Sequence, residues 1–197
     1  MSFLSSVRGV LRSKTAGNVF LLILVLIGGY FFAIRGMRFF AVPSQSMEPT
    51  LLPGDQLVTL KQDTYERGDI IVFRDGGEYM VKRIAAREGD RVLIAEGALF
   101  INDSFASEPY IKEPMVYNLS PPVEVGQGQV FVLGDNRNNS EDSSVDGRTH
   151  PVSSIIGKVV FRYYPYERWG TVQSYPLRTA EELGLPAEKQ TMLSGLR

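Results

Sequence analysis

The sequence contains no cysteine and a single histidine, His150. Without cysteine the chain cannot form a disulfide, a thiol nucleophile, an iron–sulfur cluster or a thiolate zinc site. One histidine also excludes the metal motifs that require a histidine pair, so we expect neither a metal nor a cofactor. A hydrolase built on this chain must use a hydroxyl or a carboxylate as its nucleophile, with His150, a lysine or an acid as its base.

The sequence also lacks an excess of charge of either sign. Its 197 residues include 21 Lys and Arg against 22 Asp and Glu, for a net charge of −1. Nucleic-acid-binding proteins normally present a basic face that neutralises several phosphates. We therefore expect no nucleic acid partner.

The length of the chain predicts one folded domain with appendages.

One long apolar run lies near the N-terminus. Residues 18–34 carry no charge and would form a helix about 25 Å long, which just spans a bilayer core. A cleaved secretory signal is the alternative, but arginines and phenylalanines follow the run where small cleavage-site residues should stand. We predict a cytoplasmic segment over residues 1–16 and a transmembrane anchor over residues 17–35, which makes membrane lipid an expected partner. Three basic residues before the run and two after it favour placing the rest of the chain on the export side.

The sequence after the apolar run predicts a mainly β domain over residues 36–170. Short β-branched and aromatic runs are separated by glycine, and turn residues at 75–77 and 96–97 predict hairpins. The strand-like runs are Gln56–Lys61, Asp69–Arg74, Tyr79–Ala86, Arg91–Ala95, Leu99–Asn102, Gln129–Leu133 and Gly157–Tyr164.

Two segments do not have a strand pattern. Residues 103–128 are rich in proline from Glu108 onward, which predicts a loop or a small subdomain. Residues 171–197 are polar and predict a mobile C-terminal tail with one short helix over residues 179–183.

Two serines alternate in VPSQSMEPTLLPGD, which begins at residue 42. Pro49 and Pro53 remove backbone donors and fix φ, so the segment is rigid and irregular. A hydroxyl on such a segment has a defined direction, which makes Ser44 and Ser46 candidate catalytic residues. A plain Ser/Pro linker is the alternative.

Lys82 lies within the strand-like sequence EYMVKRIAAREGD. Alternation places Met80, Lys82, Ile84 and Ala86 on one face, so Lys82 has apolar neighbours on its own side. Loss of hydration there would lower the pKa of the Lys82 amine until the neutral form can accept a proton. The alternative is a packed stem whose ammonium reaches water.

The sequence VFVLGDNRNNSEDSSVDGR runs from a strand into a loop dense in Asp, Asn and Ser. Such side chains stabilise surface turns. Calcium is a second interpretation for the acidic loop, but the spacing of a calcium-binding loop is missing.

Other serine nucleophile arrangements are missing from the sequence. No serine has glycine two residues away on both sides, and no Ser-x-x-Lys occurs. A Ser/His/Asp triad would need His150, which stands in a Gly- and Ser-rich stretch with no apolar neighbour to orient it. A Ser/Lys dyad is the best nucleophile and base pair available.

Together these stretches resemble the type I signal peptidases, membrane-anchored serine proteases of bacteria and of organelles derived from them. Four stretches in the family's order resemble its conserved boxes: PSQSMEPTLLPGD, RGDIIVFR, YMVKRIAAREGD and GDNRNNSEDS. They cover most of residues 42–165. The resemblance implies a signal-peptidase-like coiled β-sheet catalytic domain behind one N-terminal transmembrane helix.

The resemblance also implies roles for individual residues. Ser46 would be the nucleophile and Lys82 its general base. Ser44 would complete an oxyanion hole beside the Ser46 backbone N–H. Ser140 would orient the Lys82 amine.

Two acids of the last box, Asp135 and Asp142, would support the loop that carries them. The family usually continues this box with an arginine and an aromatic residue, where this chain has Ser144 and Asp146. We expect Arg148 to reach back in place of that arginine, from its proximity alone.

Members of the family cut exported precursors after a small-x-small sequence bound as an extended strand. Met47, Ile84 and Ala86 are our candidates for the pocket walls. The expected location is a bacterial plasma membrane or a thylakoid-type membrane. Two alternatives stay open: a self-cleaving repressor peptidase, which also uses Ser and Lys, and a non-catalytic anchored module that binds calcium or a partner.

Overall fold

The computed structural model describes residues 14–34 and 36–184 and divides the chain into two units, Met1–Met37 and Arg38–Arg197. In the first unit, helix α1 extends over Lys14–Ile34, and its large apolar side chains between residues 19 and 27 are 48–62% exposed. Across the described residues, no helix combines the length and hydropathy needed to cross a membrane. The anchor therefore stays a prediction, and residues 1–13 lie outside the described residues.

The second unit is built from antiparallel strands, which agrees with the predicted mainly β class. Each of the seven predicted runs forms a strand. The strands are β1 (Arg38–Ala41), β2 (Gln56–Leu60), β3 (Ile70–Asp75), β4 (Glu78–Arg87), β5 (Arg91–Ala95), β6 (Ala98–Ile101), β7 (Ser104–Phe105), β8 (Leu119–Glu124), β9 (Gln129–Leu133), β10 (His150–Pro151), β11 (Ile155–Tyr164) and β12 (Gly170–Thr171).

These strands form two sheets. The larger has the order β1-β2-β11-β3-β4-β9-β10, with β12 beside β11, and the smaller has the order β7-β6-β5-β8. Both predicted hairpins are confirmed, because Gly76–Gly77 joins β3 to β4 and Glu96–Gly97 joins β5 to β6 with positive φ at all four residues. The hairpin β3–β4 places β4 between β3 and β9, near the middle of the larger sheet.

The small sheet contains a strand that the proline-rich sequence did not predict. Strand β8 includes Pro121 and Pro122 and pairs with β5 at the edge of the sheet. Proline is tolerated there because an edge strand leaves one row of N–H positions without a ladder partner. Residues 103–128, predicted to be a loop or a small subdomain, therefore include strands β7 and β8.

A continuous core joins the two sheets. It combines Ala85, Ala86 and Leu133 of the larger sheet with Val92 and Ile94 of the smaller one. The register between β4 and β9 shifts between Ile84 and Ala86. The predicted single face from Met80 to Ala86 is wrong at its end, since Ile84 packs with Met80 in a separate cluster.

The structure adds detail to the predicted tail and corrects the prediction for the histidine. In the tail, Leu177, Thr179 and Ala180 are buried, and the predicted helix is a single turn in which the Leu183 N–H donates to the Thr179 carbonyl. Residues 185–197 lie outside the described residues. His150 does have an apolar neighbour, because it is buried on β10 with its ring centroid 4.8 Å from that of Phe73.

Candidate active site

Ser46 lies in a tight turn between β1 and β2. The turn is closed by the Glu48 N–H, which donates to the Gln45 carbonyl at 3.1 Å, and it is fixed to the core by the fully buried Met47. Ser46 is itself 8% exposed. The Ser44 hydroxyl donates to the Ser46 hydroxyl at 3.2 Å, so the two predicted serines lie side by side.

Lys82 lies on β4 between β3 and β9 and is 3% exposed. Burial lowers the pKa of its amine below the ordinary lysine value, while the charges of Asp142, Glu141 and Asp135 act in the opposite direction. Within residues 14–34 and 36–184, the Lys82 amine makes no hydrogen bond or ion pair. The structure thus places the Lys82 side chain almost completely inside the protein, as the alternation pattern predicted, and burial has the largest effect on the pKa of its amine.

The loop after β9 brings the remaining predicted residues to the Ser46 turn. Gly134 has no space for a side chain, because an added Cβ would lie 2.3 Å from the Ser140 hydroxyl and 2.4 Å from the Ser46 carbonyl oxygen. The Asn136 N–H donates to that same Ser46 carbonyl at 3.0 Å. The Ser140 hydroxyl is buried, and it has no hydrogen-bond partner among the residues that the structure describes. These contacts place Ser46 and Ser140 beside Gly134, the residue that follows β9. Strand β9 pairs with β4, the strand that carries Lys82.

Neutral donors hold the carboxylate of Asp142. It accepts the Gly134 N–H at 2.8 Å, the Ser144 N–H at 3.0 Å and the Ser144 hydroxyl at 2.8 Å. The expectation for Arg148 is wrong, because its exposed guanidinium faces Asp75 at 3.4 Å and Asp146 at 3.6 Å. Ser144 thus bonds Asp142 from the position where the family usually has an arginine.

Asp135 forms a buried ion pair with Arg83, the residue after Lys82. Two guanidinium nitrogens of Arg83 donate to the two carboxylate oxygens at 2.8 and 2.7 Å, and a third contact reaches the Gly68 carbonyl at 2.7 Å. Burial lowers the pKa of Arg83, but hydrogen bonds and the charge of Asp135 outweigh it and raise that pKa above its ordinary value. The Thr50 hydroxyl also donates to Asp135, at 2.5 Å.

Comparison with known proteins decides the family. A family model described as "Signal peptidase, peptidase S26" matches residues 13–164. The chain belongs to the signal peptidase family. The resemblance drawn from the four sequence stretches is confirmed.

Relatives of this signal peptidase occur in cyanobacteria and in plants. The "Probable signal peptidase I-1" of Synechocystis sp. is 42% identical over 165 residues, which cover 73% of this chain and 83% of that protein. "Thylakoidal processing peptidase 1, chloroplastic" of Arabidopsis thaliana is 39% identical over 142 residues, 64% of this chain and 41% of that longer protein. A crystal structure of a signal peptidase I from Enterococcus faecalis V583 covers 49% of this chain and 97% of its own, with 27% identity and a TM-score of 0.41.

The three residues predicted to line the substrate pocket of this signal peptidase are fully buried. Met47, Ile84 and Ala86 have no exposed surface, and they belong to three separate core clusters. The structure therefore places them in the core rather than on an open pocket wall. Within the part of the chain that the structure describes, no group of three or more His, Asp or Glu side chains has the arrangement of a metal site.

Sequence reasoning missed a second buried ion pair in the loop that carries Asp135. The guanidinium of Arg137 donates to both carboxylate oxygens of Glu108, at 2.8 and 2.5 Å, and the Tyr110 hydroxyl donates to the same carboxylate at 3.0 Å. Glu108 lies in the proline-rich segment, where one acid among several polar residues carried no distinguishing signal. This pair joins the segment before β8 to the loop after β9.

Proposed function

We propose that this signal peptidase is an endopeptidase that removes signal peptides from exported precursor proteins, with Ser46 as nucleophile and Lys82 as general base. The observation that carries the proposal is the buried Lys82 side chain on the strand beside the loop that contacts the Ser46 turn. A lysine buried among apolar groups favours its neutral form, and a neutral amine can accept a proton from a serine hydroxyl.

The proposed reaction follows from these positions. The neutral Lys82 amine accepts the Ser46 hydroxyl proton as the oxygen attacks the scissile carbonyl, and it then gives that proton to the leaving amine. The signal peptide is then held as an ester on Ser46. The same lysine activates a water molecule that hydrolyses this ester and releases the signal peptide. The Ser44 hydroxyl lies 3.2 Å from the Ser46 hydroxyl, so a rotation of the Ser44 side chain would direct it to the developing oxyanion beside the Ser46 N–H.

The unpaired hydroxyl of Ser140 supports the assignment of Lys82 as the general base. Unpaired buried polar groups are rare, because each loses its hydrogen bonds to water without replacement. A hydrogen bond between Ser140 and the Lys82 amine would satisfy both groups and orient the lysine. Asp142 would hold this loop through Gly134 and Ser144, as its three hydrogen bonds indicate.

The substrate proposal is tested with the full chain in detergent and one exported precursor. We expect a single cut after a small-x-small sequence, identified by sequencing the N-terminus of the mature product, and loss of that cut when either small residue becomes Phe. Ser46→Ala is the negative control. A chain that cuts itself instead would support the repressor-peptidase alternative, and a chain that cuts no precursor would refute the proposal.

The proposal includes a location. The apolar side chains of α1 are exposed, and one relative is described as thylakoidal; both support a membrane-bound enzyme of a bacterial plasma membrane or a thylakoid-type membrane, with membrane lipid as a partner and the catalytic domain on the export side. Washing membranes at alkaline pH should leave the full chain in the membrane fraction. Recovery of the intact chain in the wash would contradict the anchor.

The rate of precursor cleavage is predicted to rise with pH through the pKa of Lys82. Below that pKa the amine holds a proton and cannot accept another, so activity is lost on the acid side. The Glu141→Gln variant should shift this acid limb to lower pH, because the negative charge of exposed Glu141 raises the pKa of Lys82. Initial rates across a pH series measure both effects.

The matched control for this experiment is Glu167→Gln, which removes an exposed carboxylate that is not among the charges acting on Lys82. Its acid limb should coincide with that of the wild type. A wild-type rate that stays flat from mildly acidic to alkaline pH would show that Lys82 is not the base.

A further inference from the structure

The C-terminal segment after β12 lies beyond residue 164, where the match to the family ends, yet it is anchored to both sheets. Its Leu177 N–H donates to the carbonyl of Arg67 just before β3. Its Ala180 N–H donates to the carbonyl of Phe105 on β7 at 2.7 Å. Farther along, Glu182 accepts a hydrogen bond from the Arg67 guanidinium at 2.8 Å.

The segment lies directly on a glycine that also contacts the buried ion pair. A Cβ added to Gly68 would stand 1.7 Å from the Tyr175 carbonyl oxygen, and the φ of Gly68 is +92°. The backbone of Gly68 and the backbone of Tyr175 therefore lie so close together that only glycine fits at position 68. The carbonyl of this same Gly68 accepts the 2.7 Å hydrogen bond from Arg83.

The rings of Tyr110 and Tyr175 both lie near the Arg83 guanidinium. The Arg83 guanidinium carbon lies 3.9 Å from the Tyr110 ring centroid and 5.8 Å from that of Tyr175. The two rings are stacked with centroids 5.8 Å apart and an interplanar angle of 30°. Tyr175 is 39% exposed, whereas Arg83 is 1% exposed.

A short chain of contacts leads from this ring to the nucleophile. Arg83 fixes both carboxylate oxygens of Asp135. The next residue, Asn136, donates its backbone N–H to the Ser46 carbonyl and its side-chain amide to the Gln45 carbonyl, both at 3.0 Å. Excluding water from an ion pair strengthens it, because the effective dielectric constant falls.

We propose that residues 175–180 form a positioning strap, in which Tyr175 shields the Arg83–Asp135 ion pair and thereby holds Asn136 against the carbonyl of Ser46. The strap touches no reacting atom. Its effect on catalysis rests on the proposed function, whereas its effect on the Ser46 turn does not. Tyr175 is therefore a positioning residue, and its loss should lower kcat more than it raises KM.

The test compares Tyr175→Ala and Tyr175→Phe in the full chain with Tyr166→Ala, which removes an exposed tyrosine whose ring packs on Tyr164 and Trp169 rather than on Arg83. Hydrogen exchange of the Asn136 amide should speed up about tenfold in Tyr175→Ala while exchange in the β5–β6 ladder stays at the wild-type rate. With a precursor, kcat should fall by about tenfold, since small misplacements of reacting groups cost up to about 10²-fold. Tyr175→Phe, which keeps the ring, should restore both quantities, and Tyr166→Ala should alter neither.

The outcomes separate this inference from the proposed function. Unchanged Asn136 exchange in Tyr175→Ala overturns the strap, and so does exchange that speeds up equally at Asn136 and in the β5–β6 ladder, because that shows a general loss of stability. A wild-type kcat in Tyr175→Ala also overturns it. A wild-type chain that cuts no precursor refutes the proposed function, and the exchange measurement then still decides whether the strap exists.

Discussion

Lys82→Met is expected to abolish precursor cleavage while the chain stays folded. The variant removes the only proposed proton acceptor of Ser46, and losing the base of a serine nucleophile lowers kcat by about 10⁴-fold or more. Methionine has nearly the length of lysine and suits the apolar neighbours Met80 and Ile84, which pack in one cluster. Initial cleavage rates at a fixed precursor concentration measure the effect.

The same variant should be as stable as the wild type or more stable at neutral pH. Burial lowers the pKa of Lys82 in the folded chain, so between that pKa and the ordinary value of about 10.4 the unfolded chain holds the proton and the folded chain does not. Stability of the wild type therefore rises with pH through this interval. The Tm advantage of Lys82→Met should be largest below the folded pKa and vanish above pH about 10.4.

The matched control is Lys61→Met, which replaces an exposed lysine just after β2. It should cleave precursor at the wild-type rate. Near wild-type cleavage by Lys82→Met would refute the dyad. A Lys82→Met chain that melts well below the wild type at neutral pH would show that its amine is a structural cation rather than a dehydrated base.

The residues proposed for the chemistry could be predicted because short stretches of sequence encode their settings. Prolines near Ser46 indicated a rigid turn, and the turn closed by Gln45 and Glu48 has that character. Alternation along one strand was enough to put Lys82 among apolar side chains. Glycine positions located both hairpins, since the turn residues need positive φ.

The supports of the site could not be predicted, because they depend on pairings between distant residues. Arg83 and Asp135 are 52 positions apart and meet only because β4 pairs with β9. On the alternation pattern Arg83 was a polar residue of the opposite face, with no reason to be buried. The register shift after Ile84 similarly depends on the partner strand and leaves no mark in the periodicity of β4.

The sequence predictions were least accurate for the proline-rich segment and for the polar C-terminal segment, which lack a clear strand or helix pattern. A proline-rich sequence argues against a central strand, but it is compatible with the edge strand β8. The polar composition of residues 171–197 predicted a mobile tail, and it gave no sign that Leu177 and Ala180 would be buried. Average composition says little about a segment that is held by two buried side chains and several backbone hydrogen bonds.

Asp135→Ala is predicted to reduce the free energy of unfolding by about 3–5 kcal/mol, since it leaves the Arg83 guanidinium buried without its counter-charge. Both partners are almost completely buried, so water cannot replace the lost carboxylate. A loss of that size is a large fraction of the 5–15 kcal/mol that typically stabilises a domain. Denaturant unfolding of the full chain in detergent measures it, and a loss below about 1 kcal/mol would contradict the prediction. Glu66→Gln, which breaks the exposed pair with Arg87, should change stability by no more than about 1 kcal/mol.

The double variant Arg83→Met with Asp135→Ala separates stability from catalysis. It removes both charges, and replacing a buried pair with apolar groups often restores stability; methionine also packs well beside the ring of Tyr110. Stability should therefore recover over most of the loss. Cleavage should stay low, because without Asp135 the Thr50 hydroxyl loses its acceptor and the loop that carries the Asn136 N–H to the Ser46 carbonyl loses its fixed point. Recovery of both stability and cleavage would show that the ion pair supports the fold alone, and that the Ser46 turn holds its own geometry.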